Sequence, residues 1–147
     1  MVIDEINKKI IRVLRDGRKP FGDIAKKLGL TPNTVRGRVR KLIGKKAFDI
    51  VGVIDPDKMT GHFVTIVGIR FKILNLLKKA EEFSKLKGVI SVSIVTGQFD
   101  FILTVLLNNE FGLLDFQTKE LSKISDVISS ETFVVYKNFN LRVPYVL

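Results

Sequence analysis

The sequence predicts an α+β protein in two parts: three short helices at the front and an alternating β-α-β-β-α-β unit at the rear. Three observations carry this. Residues 1–50 hold 14 Lys and Arg against 5 Asp and Glu, whereas the remaining 97 hold 11 against 10. Apolar residues recur at helical spacing up to Leu42. From His62 onward, alternating runs are interleaved with two helical ones.

Asp4 precedes Ile6, Ile10, Val13 and Leu14, with Lys8, Lys9, Arg12 and Arg15 between them. That spacing predicts a first helix, stopped by Asp16-Gly17 and Pro20. Phe21 to Leu28 predicts a second helix with Ile24, Ala25 and Leu28 inward. Gly29-Leu30 supplies the turn, because glycine adopts the left-handed conformation that ends a helix sharply. Thr31 is a good N-cap and Pro32 a good first helical residue. Val35, Val39 and Leu42 then form one apolar stripe of a third helix, and Asn33, Arg36, Gly37, Arg40 and Lys41 gather opposite. Small Ala25, turn-forming Gly29, and Leu30 and Val35 at the hinge make the second and third helices a helix–turn–helix, in a winged-helix-like domain.

Phe48 to Ile54 reads as an extended, strand-like connector, followed by turns at Asp55-Pro56-Asp57 and Thr60-Gly61. Strands are predicted over 62–72, 89–96, 99–107 and 127–137. One helix is predicted over 75–87, with Leu76, Leu77, Ala80, Phe83 and Leu86 inward. A second opens at Asn108-Asn109-Glu110 and runs to Ile124. The order is that of a ferredoxin-like sheet with both helices on one face. Phe99 to Leu107 is apolar on both faces, which favours a second copy of the chain against the open side. The boundaries expected are 1–48 for the helical domain, 49–61 for the connector and 62–147 for the sheet domain.

A formal charge of +10 concentrated in the front half points to a polyanion. A helix with an outer face of Asn and Arg fits the major groove of double-stranded DNA, where Arg forks onto guanine and Asn onto adenine. Asn33, Arg36 and Arg40 are therefore candidate base readers. Thr31, Thr34, Arg38, Lys41, Lys45 and Lys46 are candidate phosphate contacts. Gly37 is unusual in mid-helix and either lets the backbone approach DNA or is simply tolerated. There is no cysteine, so no disulfide or thiolate metal site, and the lone His62 has no second ligand at a recognisable spacing. No cofactor is expected. No apolar run approaches the roughly 18 residues of a membrane span. Met1 leads straight into an amphipathic stretch without a secretory signal, so a cytoplasmic location is expected.

The whole pattern resembles the Lrp/AsnC (feast/famine) family of prokaryotic transcription regulators. Ile3 to Ile11 resembles its first-helix motif, Asp23 to Val35 its helix–turn–helix, and Arg38 to Leu42 the end of its recognition helix. Val95-Thr96-Gly97-Gln98-Phe99-Asp100-Phe101 resembles the motif of its C-terminal domain. The resemblance implies a homodimer, further assembled into tetramers or octamers, palindromic DNA sites and an amino-acid effector. Gly97, Gln98, Phe99 and Asp100 are then effector candidates: amides beside the glycine suit a carboxylate, and Asp100 suits an ammonium. As a plain hairpin turn, the same stretch uses Gly97 for positive φ and Asp100 as a local cap. Thr132 is added only by its position in the family's last strand. The turn Ile43-Gly44-Lys45-Lys46-Ala47-Phe48 departs from the family's Glu-rich pattern and places the helix stop at Gly44.

Three other readings compete: an architectural DNA-compacting protein, a siroheme-decarboxylase-like enzyme, and RNA binding by the sheet. The intact basic helix and single histidine argue against the enzyme. The absence of a basic-aromatic sheet signature argues against RNA.

Overall fold

The computed structural model describes residues 3–72 and 75–147; the opening Met1-Val2 lies outside them. The chain divides into two compact units, Met1–Val51 and Gly52–Leu147.

The front unit consists of α1 (Glu5–Val13), α2 (Phe21–Leu28) and α3 (Pro32–Gly44), with a 3-10 turn over Leu14–Asp16. Its described residues contain no strand, so no wing accompanies the helices. Ile10, Leu14, Ile24, Ala25, Val35 and Val39 form the core, with Phe48 packed against it. Each helix boundary has a local cause. Asp4 caps α1 by accepting from the Asn7 amide at 2.7 Å. Gly29 closes α2 with φ +66°, the left-handed conformation that glycine adopts without a Cβ penalty. Both the Gly29 and Leu30 amides donate back to the Ala25 carbonyl. Thr31 caps α3 by accepting from the Thr34 amide at 3.2 Å.

Helix α3 stops at the expected Gly44, but its left-handed cap lies further on. Gly44 is the last helical residue, and the left-handed position falls on Lys46, with φ +53°. Lys46 donates to the Ile43 carbonyl and Ala47 to that of Leu42, the paired bonds of a Schellman motif. The bonds of the motif determine the left-handed residue, and Gly44 sits two positions too early.

The rear unit is a four-stranded antiparallel sheet, order β2-β3-β1-β4, built from β1 (His62–Phe71), β2 (Val89–Ile94), β3 (Phe101–Asn108) and β4 (Val127–Val134). Helix α4 (Leu76–Ser84) follows β1. Helix α5 (Leu113–Asp115) runs into a π turn over Phe116–Glu120 and a 3-10 turn over Leu121–Lys123. Val67, Ile69, Phe71, Phe101, Leu103, Val105 and Leu107 meet Phe83, Phe116 and Leu121 of the helical layer in the main core. On α4, Leu76, Ala80 and Phe83 hold the inward stripe, and Leu77, expected inward, is exposed. It lies about 100° round from Leu76, off the stripe.

The expected apolar character of β3 on both faces has a covering within the chain. Leu106 turns to the open face and is buried with Val64 beneath Val143 of the terminal segment, flanked by Ile54. Two further expectations need correction. The connector over Phe48–Ile54 pairs only at its end, through the Ile54–Val143 bridge. Residues 48–53 are not strand, as they pair in no ladder with any strand among the described residues. Asn108-Asn109-Glu110 does not open a helix either. Asn108 ends β3, and its side-chain oxygen accepts from the Glu110 and Phe111 amides at 3.0 and 2.7 Å. That turn competes with helix formation, so helix starts only at Leu113.

Candidate nucleic-acid interface and effector loop

The inward stripe of α3 is Val35, Val39 and Leu42, all buried. This leaves Asn33, Arg36, Gly37, Arg40 and Lys41 exposed on one outer face. Arg36 donates to the Asn33 side-chain oxygen at 3.3 Å, so the two candidate base readers already lie side by side. The Thr31 and Thr34 hydroxyls share a hydrogen bond of 2.9 Å at the start of the helix. A Cβ built on Gly37 meets nothing within 4 Å; nothing inside the front unit requires glycine there. Lys45 and Lys46 extend the cationic surface past the helix end and are exposed.

Arg38 stands apart. Its guanidinium donates to the Asp4 carboxylate at 2.6 Å and to the Asn7 side-chain oxygen at 3.0 Å. It latches α3 to the start of α1, a structural duty that the sequence reading did not assign. The bond from Arg38, with help from the Asn7 amide, holds the Asp4 carboxyl below its ordinary range.

In the rear unit, Val95 to Asp100 joins β2 to β3. Gly97 has φ +116°, and the Val95 amide donates to the Asp100 carbonyl at 3.0 Å. Asp100 is tied to β1 twice: its amide donates to the Ile69 carbonyl at 2.9 Å, and its carboxylate accepts from the Phe71 amide at 2.7 Å. A cleft of about 380 Å³ opens here, lined by Gly97, Gln98 and Asp100 together with Arg70, Phe71, Lys72 and Ile128. Two cations and one carboxylate thus share one small cleft. Sequence reading missed Arg70 and Lys72 as site residues. They close the β1 end of the cleft, and their approach to the loop follows from strand register.

Phe99 and Thr132 belong elsewhere. The Phe99 ring packs over Gly68, where an added Cβ would come within 2.8 Å of it, and meets Phe133 edge-on at 6.2 Å. Phe133 pairs with Ile66 in register. Thr132 pairs with Val67, whose side chain faces the helical layer, and accepts from Gln117 at 3.1 Å. Thr132 and Phe99 therefore occupy opposite faces of the sheet, and neither lines the loop cleft.

Residues 3–43 match the model of the AsnC-type helix-turn-helix domain, and residues 58–144 match that of the Lrp/AsnC ligand binding domain. The chain belongs to the Lrp/AsnC family of transcription regulators. It is 30% identical over 135 residues to the uncharacterised HTH-type transcriptional regulator PYRAB01370 of Pyrococcus abyssi, covering 90% of this chain and 85% of that one. Its fold is similar to the crystal structure of PH0061, with a TM-score of 0.81, 21% identity and coverage of 96% and 97%. It is also similar to the regulator NMB0573 of Neisseria meningitidis in complex with L-Met, with a TM-score of 0.74, 17% identity and coverage of 99% and 96%. This Lrp/AsnC regulator is thus a DNA-binding, helix–turn–helix protein with a ligand-binding rear domain, and not an enzyme. No helix among its described residues is long and apolar enough to cross a membrane. Among the same residues, no three His, Cys, Asp or Glu side chains gather as metal ligands.

Proposed function

We propose that the chain is a sequence-specific regulator that binds palindromic duplex sites as a two-fold dimer or higher multimer and is tuned by an amino acid. The observation that carries the reading is the outer face of α3. Asn33, Arg36 and Arg40 project from a helix anchored on its other side, with donors suited to adenine and guanine edges. Thr31, Thr34, Lys41, Lys45 and Lys46 flank them as phosphate contacts. Arg38 serves mainly as the α1–α3 latch. In a two-fold dimer, two such helices read half-sites about one helical turn apart, near 34 Å. The half-exposed Phe133 on the open sheet face supports a second copy covering it.

The effector reading rests on charge. An amino acid carries a carboxylate and an ammonium on one carbon. Arg70 and Lys72 suit the first, and Asp100 the second, within the same cleft. The L-Met in the complex of the Neisseria relative makes methionine the first ligand to try.

The test is selection of duplexes from a random library by the purified full chain, with and without a panel of L-amino acids. The expected result is a palindromic consensus whose recovery changes with at least one amino acid. Equal recovery of all duplexes would instead make the protein an architectural one.

A further inference from the structure

The front unit holds a second group of cations that the outer face of α3 does not include. Lys9 and Arg12 of α1, Arg15 in the following turn, Lys19 in the loop and Lys27 of α2 line a cleft of about 580 Å³. Val13 and Leu28 supply its apolar lining, and no residue of α3 contributes. Asp4 and Asn7 bind Arg38, so that flank of α1 faces α3. Lys9 lies two residues beyond Asn7, roughly 200° round the helix, on the flank turned toward α2.

None of these five cations has an ion pair among the described residues. Other cations of the chain do hold carboxylates, among them Lys8, Arg38, Lys137 and Arg142. On the rear helices, Lys79, Lys85, Lys119 and Lys123 are each paired with a carboxylate at 2.6–2.9 Å. Five unmatched cations around one concavity concentrate positive potential there. Arginine forks and lysine ammoniums both suit phosphate oxygens. The volume is that of a small-molecule site, for which about 300–1,000 Å³ is usual.

We infer that this cleft between α1 and α2 binds a phosphate-rich small molecule of the nucleoside triphosphate class. The phosphates meet the two arginines and three lysines, and Val13 and Leu28 take the apolar part of the nucleoside. Because the ligand bridges α1 and α2, its binding stabilises the front unit by mass action. The site is separate from the loop cleft of the rear unit and needs no amino-acid effector.

The test uses the full chain, with ATP and inorganic triphosphate as probes, titrated by calorimetry at about 0.15 M salt, where surface charges are screened beyond roughly 8 Å. Saturable binding is expected, tighter for ATP than for triphosphate. Arg12→Gln and Lys27→Gln should each weaken it about tenfold, as loss of a charge-assisted hydrogen bond does. Lys26→Gln removes the same charge from the neighbouring position outside the cleft and should change it less than about twofold. Circular dichroism melts of the three variants, whose substituted side chains are all exposed, confirm that each is folded. Absence of saturable ATP binding would overturn the inference. So would equal losses in Lys26→Gln and Lys27→Gln, which would mark a diffuse field. Finally, if Arg12→Gln weakened scrambled-duplex binding as much as ATP binding, the cleft would be a DNA phosphate contact instead.

Discussion

On α3 of the front unit, Arg40 and Lys41 stand exposed without a carboxylate partner among the described residues, whereas in and just after the rear helices Lys79, Lys85, Lys119 and Lys123 each hold one within 2.9 Å. The contrast extends to glycine. A Cβ at Gly37 of α3 meets open space, but one at Gly68 of β1 would enter the Phe99 ring at 2.8 Å. The front unit leaves charge and room on its surface for something outside the chain. The rear unit pairs these four lysines and fills the space at Gly68, leaving a small cleft of mixed sign. The same contrast separates binding of a long polyanion from recognition of a compact zwitterion, since a matched surface cannot attract the first and an unmatched one cannot select the second.

The largest effect expected from breaking this contrast is at Gly68. Gly68→Ala should destabilise the rear unit by about 1–3 kcal/mol, the usual range for overpacking, because the new methyl group must displace a packed ring. Since Phe99 lies in the loop before Asp100, the same variant should also shift the loop cleft. Urea unfolding followed by circular dichroism measures the first effect, and amide chemical shifts at 97–100 the second. The identical substitution at Gly37 should act in the opposite direction. Gly37→Ala should stabilise α3 by about 1 kcal/mol, the difference in helix propensity. A thermal melt checks this. Loss of duplex affinity in that more stable variant would place DNA backbone against Gly37.

A change of similar or smaller size is expected at the end of α3. Lys46 holds a left-handed conformation at φ +53°, which costs a non-glycine residue roughly 1 kcal/mol. Lys46→Gly should recover much of that in a thermal melt while lowering duplex affinity through the lost cation.

The smallest effect is an acid one, confined to the rear unit. Two hydrogen bonds from Asn138 and one from Lys137 hold the Asp57 carboxyl at about 2, below its ordinary 3.8. The folded value is depressed, so this tether's stabilisation is complete above pH 4 and fades as pH falls toward 2. Hydrogen exchange at Asn138 should accelerate over that window, and Asp57→Asn should remove the pH dependence.

The helix–turn–helix was legible in the sequence because its determinants are local. Gly29, Thr31 and Pro32 act within one turn of their own positions, and Ala25 and Val35 follow from spacing. The sheet order was legible because alternation and helical period change over at recognisable breaks. What escaped depended on distant partners. Arg38 read as a phosphate contact because Asp4, its partner, lies 34 residues away. Arg70 and Lys72 were not seen as loop neighbours because only the strand register brings β1 to Asp100. Thr132, carried by resemblance alone, proved to face the helical layer, where Gln117 binds it. The late start of α5 was hidden because Asn108 is as good a turn former as a helix opener, and the Phe111 amide decides between the two roles.

The division of labour between the units is tested most directly by fluorescence anisotropy of the full chain on a library-selected duplex and on its scrambled counterpart. With Arg40→Ala, affinity for the selected duplex should fall by about 1–3 kcal/mol, roughly ten- to a hundredfold, while the scrambled duplex loses much less. Equal losses on both duplexes would contradict the assignment of the α3 outer face as the reader of sequence.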